Sequence, residues 1–138
     1  MGCMKLGKID ISELSALPEK HEYETAKYFA KRGFDIKFVK QCYVKGFRNP
    51  DFEMDGKVWE MKSPVGSNRR TFEDNLRKAI KQSENIIFDL RRLSPFLEKR
   101  GLQILKKRRK IGTIKNLLVI TRDGKLLTLK GKFGIIEA

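Results

Sequence analysis

"NPDFEMDGKVWEMKSPVG", residues 49–66, decides the fold. Asp55-Gly56 is the strongest short-range signal for a two-residue β-hairpin turn, which needs positive φ at both central positions. Counting outward from that turn pairs Met54 with Lys57, Glu53 with Val58, Phe52 with Trp59 and Asp51 with Glu60, and sets Lys62 opposite Asn49. Side chains alternate across a strand, so Asp51, Glu53, Glu60 and Lys62 share one face while Phe52, Trp59 and Met61 share the other. Directly opposed residues have Cβ atoms about 4.5–5.5 Å apart. Two carboxylates that close repel unless a cation sits between them. A divalent metal is the natural cation; Lys62 alone is the alternative. Glu53 lies nearer the turn and stays outside the candidate site, and Trp59 opposite Phe52 reads as core.

The surrounding chain places this hairpin. Residues 1–16 read as an N-terminal arm, and residues 17–138 as a single domain. "PEKHEYETAKYFAKRG" predicts a helix, with Pro18 near its first turn, acids early, lysines late and Gly33 as the stop. Ala26, Phe29 and Ala30 form its apolar stripe, with Tyr23 on the rim. Glu22 falls inside that stripe, whereas Glu24, Lys27 and Lys31 occupy the opposite side. "FDIKFVKQCYV" (34–44) alternates as a strand does. "TFEDNLRKAIKQSE" predicts a second helix presenting Phe72, Leu76, Ala79 and Ile80. "NIIFDL" (85–90) reads as a short buried strand. "SPFLEKRGLQILKKRRK" reads as a basic third helix that breaks near Gly101. "NLLVIT" and "KLLTLK" close the chain as a hairpin around Asp123-Gly124. The order is helix, three strands, helix, strand, helix, hairpin: an α/β or α+β fold with a mixed sheet, its αβββαβ core followed by a basic helix and a β-hairpin.

Composition narrows the partners. The 138 residues suffice for one core. No apolar run approaches the roughly 18 residues of a membrane span. Leu6 stands where N-myristoylation needs Ser or Thr. Two cysteines and one histidine exclude a Cys/His zinc cage, so a metal here would be a hard cation on carboxylates, Mg2+ or Mn2+. Lys and Arg number 31 against 17 Asp and Glu, a net charge of +14 that points to a polyanionic partner. Acids clustered on one face of so basic a chain need a reason. Solvation would supply one on an exposed hairpin, but the apolar flanks make this hairpin central.

"PDF", nine residues and "EMK" resemble the PD-(D/E)xK nuclease superfamily, whose core runs helix, three antiparallel strands, helix, strand. The wider stretch from "HEYETAKYFAKRGFDIKFV" through "NPDFEMDGKVWEMKSP" to "RKAIKQSENIIFDLRR" is similar to the toxin domains at the C-termini of CdiA-type contact-dependent growth inhibition proteins. The resemblance implies a metal-dependent endonuclease acting on RNA, tRNA foremost, in the cytoplasm and delivered as part of a larger secreted toxin. It implies an immunity protein as partner. It assigns Asp51 and Glu60 as metal ligands, Lys62 as the group that positions the attacking water, and Glu22 as a further ligand. Gln82 becomes a contact to substrate or water.

Basic residues supply the expected nucleic-acid contacts. Arg69, Arg70, Arg91 and Arg92 sit at element ends on the site side, where they would grip phosphates. Lys106, Lys107, Arg108 and Arg109 form a patch on the third helix. His21 beside Glu22 reads as a capping or surface group rather than a general base. Two rivals share this chemistry: a DNA endonuclease of a repair, phage or restriction system, and a non-catalytic nucleic-acid-binding module. Intact Asp51, Glu60 and Lys62 speak against the second.

Overall fold

Asp55 and Gly56 turn the chain with φ of 55° and 74°, the positive pair that their turn requires. Around them β3 (Phe52–Met54) and β4 (Lys57–Lys62) pair as counted: Met54 with Lys57, Glu53 with Val58, Phe52 with Trp59. The Trp59 indole N–H donates to the Met54 carbonyl at 2.9 Å, fixing the buried ring across the hairpin. The computed structural model describes residues 5–66 and 69–133.

This hairpin lies inside a seven-stranded mixed sheet whose strands stand side by side in chain order. β1 (Ile9–Asp10) runs parallel to β2 (Ile36–Phe38), and β2, β3 and β4 are antiparallel. β5 (Asn85–Asp89) and β6 (Asn116–Ile120) continue parallel to β4, and β7 (Leu126–Lys130) returns antiparallel. Parallel neighbours need crossovers. These are α1 (Lys20–Lys31), α2 (Arg69–Gln82) and α3 (Pro95–Arg108), between β1 and β2, β4 and β5, and β5 and β6.

The helices cover both faces. Ala26 and Phe29 of α1 pack with Phe52, Trp59, Met61, Ile87 and Leu118. Phe72, Leu76 and Ala79 of α2 and Leu105 of α3 pack with Ile86, Phe88, Leu117 and Val119. Successive residues of β5 thus belong to opposite cores, which is why its run is apolar rather than alternating.

Four sequence expectations need correction. The expected strand 34–44 shrinks to Ile36–Phe38. Its backbone follows the hairpin as far as Val39, whose N–H donates to the Asp51 carbonyl at 3.0 Å, and then leaves the sheet. The expected arm belongs to the fold from residue 5, since Gly7 donates to Ala30 at 2.8 Å and Ile9 and Asp10 pair with β2. Gly7 is required there, because a Cβ would sit 1.9 Å from the Phe34 carbonyl oxygen. No break occurs at Gly101. α3 is continuous, and its glycine admits the Phe72 ring, which a Cβ would meet at 2.4 Å. Finally, the hairpin ladder ends at Phe52–Trp59, one step before Asp51 and Glu60.

Candidate active site

Asp51 leaves the ladder in a way that keeps it beside Glu60. Its N–H donates to the Trp59 carbonyl at 2.9 Å, and its Oδ2 accepts the Met61 N–H at 2.8 Å. The simple opposition of Asp51 and Glu60 is thereby replaced by a closer engagement, since Asp51 bonds the residues on both sides of Glu60. The main-chain donor at Met61 is free for this because the ladder has already stopped.

Glu60 is 5% exposed. Lys62, two residues along the same face, brings its Nζ to 3.3 Å from Glu60 Oε2. Glu60 Oε1 is buried and has no hydrogen-bond partner among the described residues. Such orphaned atoms are rare, because an unsatisfied buried acceptor costs about 1–3 kcal/mol.

Burial pushes both carboxyls up. The Asp51 carboxyl rises to about 6, chiefly through loss of water, with the Glu22 charge adding to it and the Met61 N–H opposing it. The Glu60 carboxyl rises to about 8, again through burial first and then the nearby Asp51 charge, against the pull of Lys62. The pair therefore carries one cation, Lys62, where its full ionisation needs more.

Glu22 arrives from α1. Its Oε1 accepts the Glu19 N–H at 3.2 Å, so the side chain folds back over the start of the helix. Glu22 and Asp51 line a shared cleft of about 540 Å³, with Lys40, Gln41 and Tyr43. Glu19 and His21 join Glu22: one ligand atom from each lies within 4.8 Å of the others. His21 Nε2 is 3.6 Å from Glu19 Oε1, in keeping with a surface role at the helix start. Glu19 was not singled out from the sequence, although its spacing to Glu22 is that of a capping pair.

Gln82, on the last turn of α2, accepts the Asn49 N–H through Oε1 at 2.6 Å. Its carbonyl is thus spent on holding the backbone two residues before Asp51.

The bases divide into committed and available groups. Arg91, expected to grip phosphates, is paired with Asp89 and also lines the cleft formed with Lys20, His21 and Arg92. Its Nη2 is 2.7 Å from Asp89 Oδ2, its Nε 2.9 Å from Oδ1, and its plane lies over Tyr28. Asp89 is buried and also accepts from Thr25 Oγ1 at 2.7 Å, so Arg91 neutralises a core carboxylate. Arg92 is exposed and bonds Ser63 through Nε at 2.9 Å, next to Lys62. It shares a second cleft, of about 400 Å³, with Lys20, His21 and Ser63. Arg70 is exposed in the first turn of α2. Arg69 opens that helix, and its side chain lies outside the described residues. Lys106, Lys107, Arg108 and Arg109 end α3 in solvent, with Arg108 Nη2 3.3 Å from Glu73 on α2.

The fold and site define a small α+β domain in which a central hairpin holds a buried carboxyl, a half-buried one and a lysine together. Residues 48–126, more than half of the chain, match the family described as the contact-dependent growth inhibition CdiA C-terminal domain, and the chain belongs to that family of toxin domains. No curated protein matches it. Among solved structures it is similar to the CdiA-CT/CdiI toxin and immunity complex from Burkholderia pseudomallei, with 19% identity and a TM-score of 0.63 over 90% of this chain and 99% of that one. At that identity the likeness is one of fold. No helix among the described residues is long and apolar enough to cross a membrane.

Proposed function

We propose that this toxin domain is a metal-dependent endonuclease of the PD-(D/E)xK type that hydrolyses phosphodiester bonds of RNA, tRNA foremost. The observation that carries this reading is the buried Glu60 carboxyl next to Asp51, whose Oε2 meets Lys62 at 3.3 Å while its Oε1 has no hydrogen-bond partner among the described residues. An acid pair that lacks one countercharge, with an acceptor atom left open, fits a hard divalent cation. Asp51 and Glu60 would hold Mg2+ or Mn2+, with Glu22 as a further ligand across the cleft. When bound, such an ion makes water a competent nucleophile near neutral pH and offsets charge on the phosphate oxygens.

The protein's own groups do the rest. On binding such an ion, Asp51 and Glu60 would release to solvent the protons that burial favours and would hold the ion with their negative charge. Lys62, held by Glu60, directs its ammonium at the phosphate and orients the incoming water. Gln82 fixes the Asn49 backbone and so the position of Asp51. Arg92 and Arg70 offer charge to the flanking phosphates. The order of three antiparallel strands, helix and parallel strand supports the superfamily.

RNA is favoured over DNA by the sequence resemblance, and the net charge of +14 supports a polyanion of either kind. The similarity to a toxin in complex with its immunity protein supports an immunity protein as partner here. Delivery as part of a larger secreted toxin, with action in the cytoplasm of the recipient, follows from the same reading.

Purified protein incubated with total tRNA and with plasmid DNA, in magnesium, manganese or EDTA, tests it. The expected result is tRNA cleavage that needs metal and is lost in Asp51→Asn. Cleavage of plasmid alone would make it a DNA endonuclease, and binding without cleavage would make it a binding module.

A further inference from the structure

Where the sheet releases the chain after Val39, a loop runs to Pro50 and feeds directly into Asp51. Its sequence, "KQCYVKGFRN" (40–49), contains Lys40, Lys45 and Arg48 and no acid. The loop is tied at its neck. The Cys42 N–H donates to Asn49 Oδ1 at 2.6 Å, and Gln41 Nε2 reaches the carbonyls of Val39 at 3.1 Å and Pro50 at 3.2 Å. At its tip the Phe47 N–H returns to the Val44 carbonyl at 3.1 Å, closing a turn in which Gly46 takes a φ of 94°.

What this neck and turn display is apolar. Tyr43 is 89% exposed, Val44 60% and Phe47 63%. A single exposed apolar side chain is ordinary, but three within five residues on one projecting turn form a patch. Tyr43 also lines the cleft that holds Glu22 and Asp51. The Tyr43 ring therefore stands beside the candidate site, and Phe47, on the same turn, follows between Lys45 and Arg48 in the chain.

We infer that the loop of residues 40–49 is a base-stacking finger, which holds unpaired bases of single-stranded RNA on Tyr43 and Phe47 while Lys45 and Arg48 take the adjacent phosphates. Rings on which any base can stack, alternating with positive charge, are the means by which proteins bind single strands. Paired bases already stack on each other, so the finger selects loops and ends over duplex, the usual targets of RNA recognition. The inference rests on the nuclease reading for the identity of the ligand, but not on cleavage.

Binding of a labelled single-stranded RNA of about 12 nucleotides, within the site sizes of such surfaces, is measured in EDTA across a salt series. Tyr43→Ala with Phe47→Ala is expected to weaken binding about tenfold or more at every salt concentration, leaving the salt slope unchanged. Lys45→Ala with Arg48→Ala should instead flatten the slope, by about 0.7 per lost phosphate contact. Tyr43→Phe should bind as wild type does. A duplex of equal length should bind the wild type and the ring-less variant alike. Because the tips are in solvent, all variants should melt with the wild type, and that is checked first. Equal RNA affinity in wild type and the ring-less variant, or no RNA binding by the wild type, overturns the inference and leaves the patch to a protein or membrane partner. Ring-dependent binding by a protein that cleaves neither RNA nor DNA sustains the inference while the nuclease reading fails.

Discussion

Asp51 holds Glu60 by its two neighbours: the Asp51 main chain bonds Trp59, and the Asp51 carboxylate bonds the Met61 N–H at 2.8 Å. Both bonds go to the main chain on either side of Glu60, so Asp51 is fixed beside it. The hairpin thus keeps two like charges together rather than letting them splay. That constraint is what makes the pair a candidate cation site rather than two surface acids.

The first prediction concerns that cation. Millimolar magnesium or manganese should raise the melting temperature, because a ligand that binds only the folded state stabilises it by mass action. At about 100 times the dissociation constant the gain is about 2.7 kcal/mol. For a domain of this size that is a rise on the order of 10 °C. Asp51→Asn should abolish it. A wild type whose melting ignores both metals would remove the central claim.

pH dependence supplies the second. Both carboxyls titrate higher in the folded chain than in the unfolded one, at about 6 for Asp51 and about 8 for Glu60. Folding therefore favours their protonated forms. Their stabilising contribution is complete below the unfolded carboxyl range near pH 4 and is lost as pH rises through about 6 to about 8. Urea midpoints in EDTA should fall across that window, more steeply for wild type than for Asp51→Asn. Added manganese should reverse the fall, since metal and proton compete. Parallel curves for the two proteins would contradict the assignment.

Catalysis and binding should separate. Lys62→Ala should lower tRNA cleavage by about 10²-fold or more, the scale of one preorganised electrostatic group, with RNA binding nearly intact. Neutralising Lys106, Lys107, Arg108 and Arg109 should do the opposite, weakening binding and flattening its salt dependence. Arg108 should contribute least, because Glu73 already engages it at 3.3 Å. Normal cleavage by Lys62→Ala would refute the role given to the lysine.

Gly101→Ala should destabilise the fold despite better helix propensity. Alanine gains about 1 kcal/mol over glycine inside a helix. Its Cβ would meet the Phe72 ring at 2.4 Å, and that ring is stacked on Phe88 at a centroid distance of 5.0 Å. Overpacking of this kind costs about 1–3 kcal/mol, so a net loss is expected. Chemical denaturation reads it directly. Phe72→Leu in the same chain should recover part of the loss, and a more stable single variant would show the contact to be slack.

Much of the site was legible because its information is local. Asp55-Gly56 fixes a turn, the turn fixes register, and register puts Asp51, Glu60 and Lys62 together. The phase of α1 likewise brought Glu22 to the same cleft. What was less legible depends on contacts across the chain. The acid that pairs with Arg91 is only two residues away, at Asp89, but its burial beside Thr25 of α1 is set by a contact 64 residues apart. Gln82 was located, but its Asn49 partner lies 33 residues away. Residues 39–44 alternate as a strand does, yet the partner strand that would accept them starts only at Phe52. A glycine within a helical pattern signals either a break or a close approach, and only the position of Phe72 decides between them.

The order of strands in space is the order of strands along the chain, from β1 to β7. No strand has to be inserted between two that are already paired. Each new strand adds to the open edge left by the one before it, across a single helix, loop or turn, so the sheet can be assembled from either end without undoing earlier steps. Pairings between chain neighbours also keep loop-closure costs low, which favours rapid folding. A chain of this topology that is drawn out into an extended form retains a direct route back to its structure: it rebuilds one edge at a time.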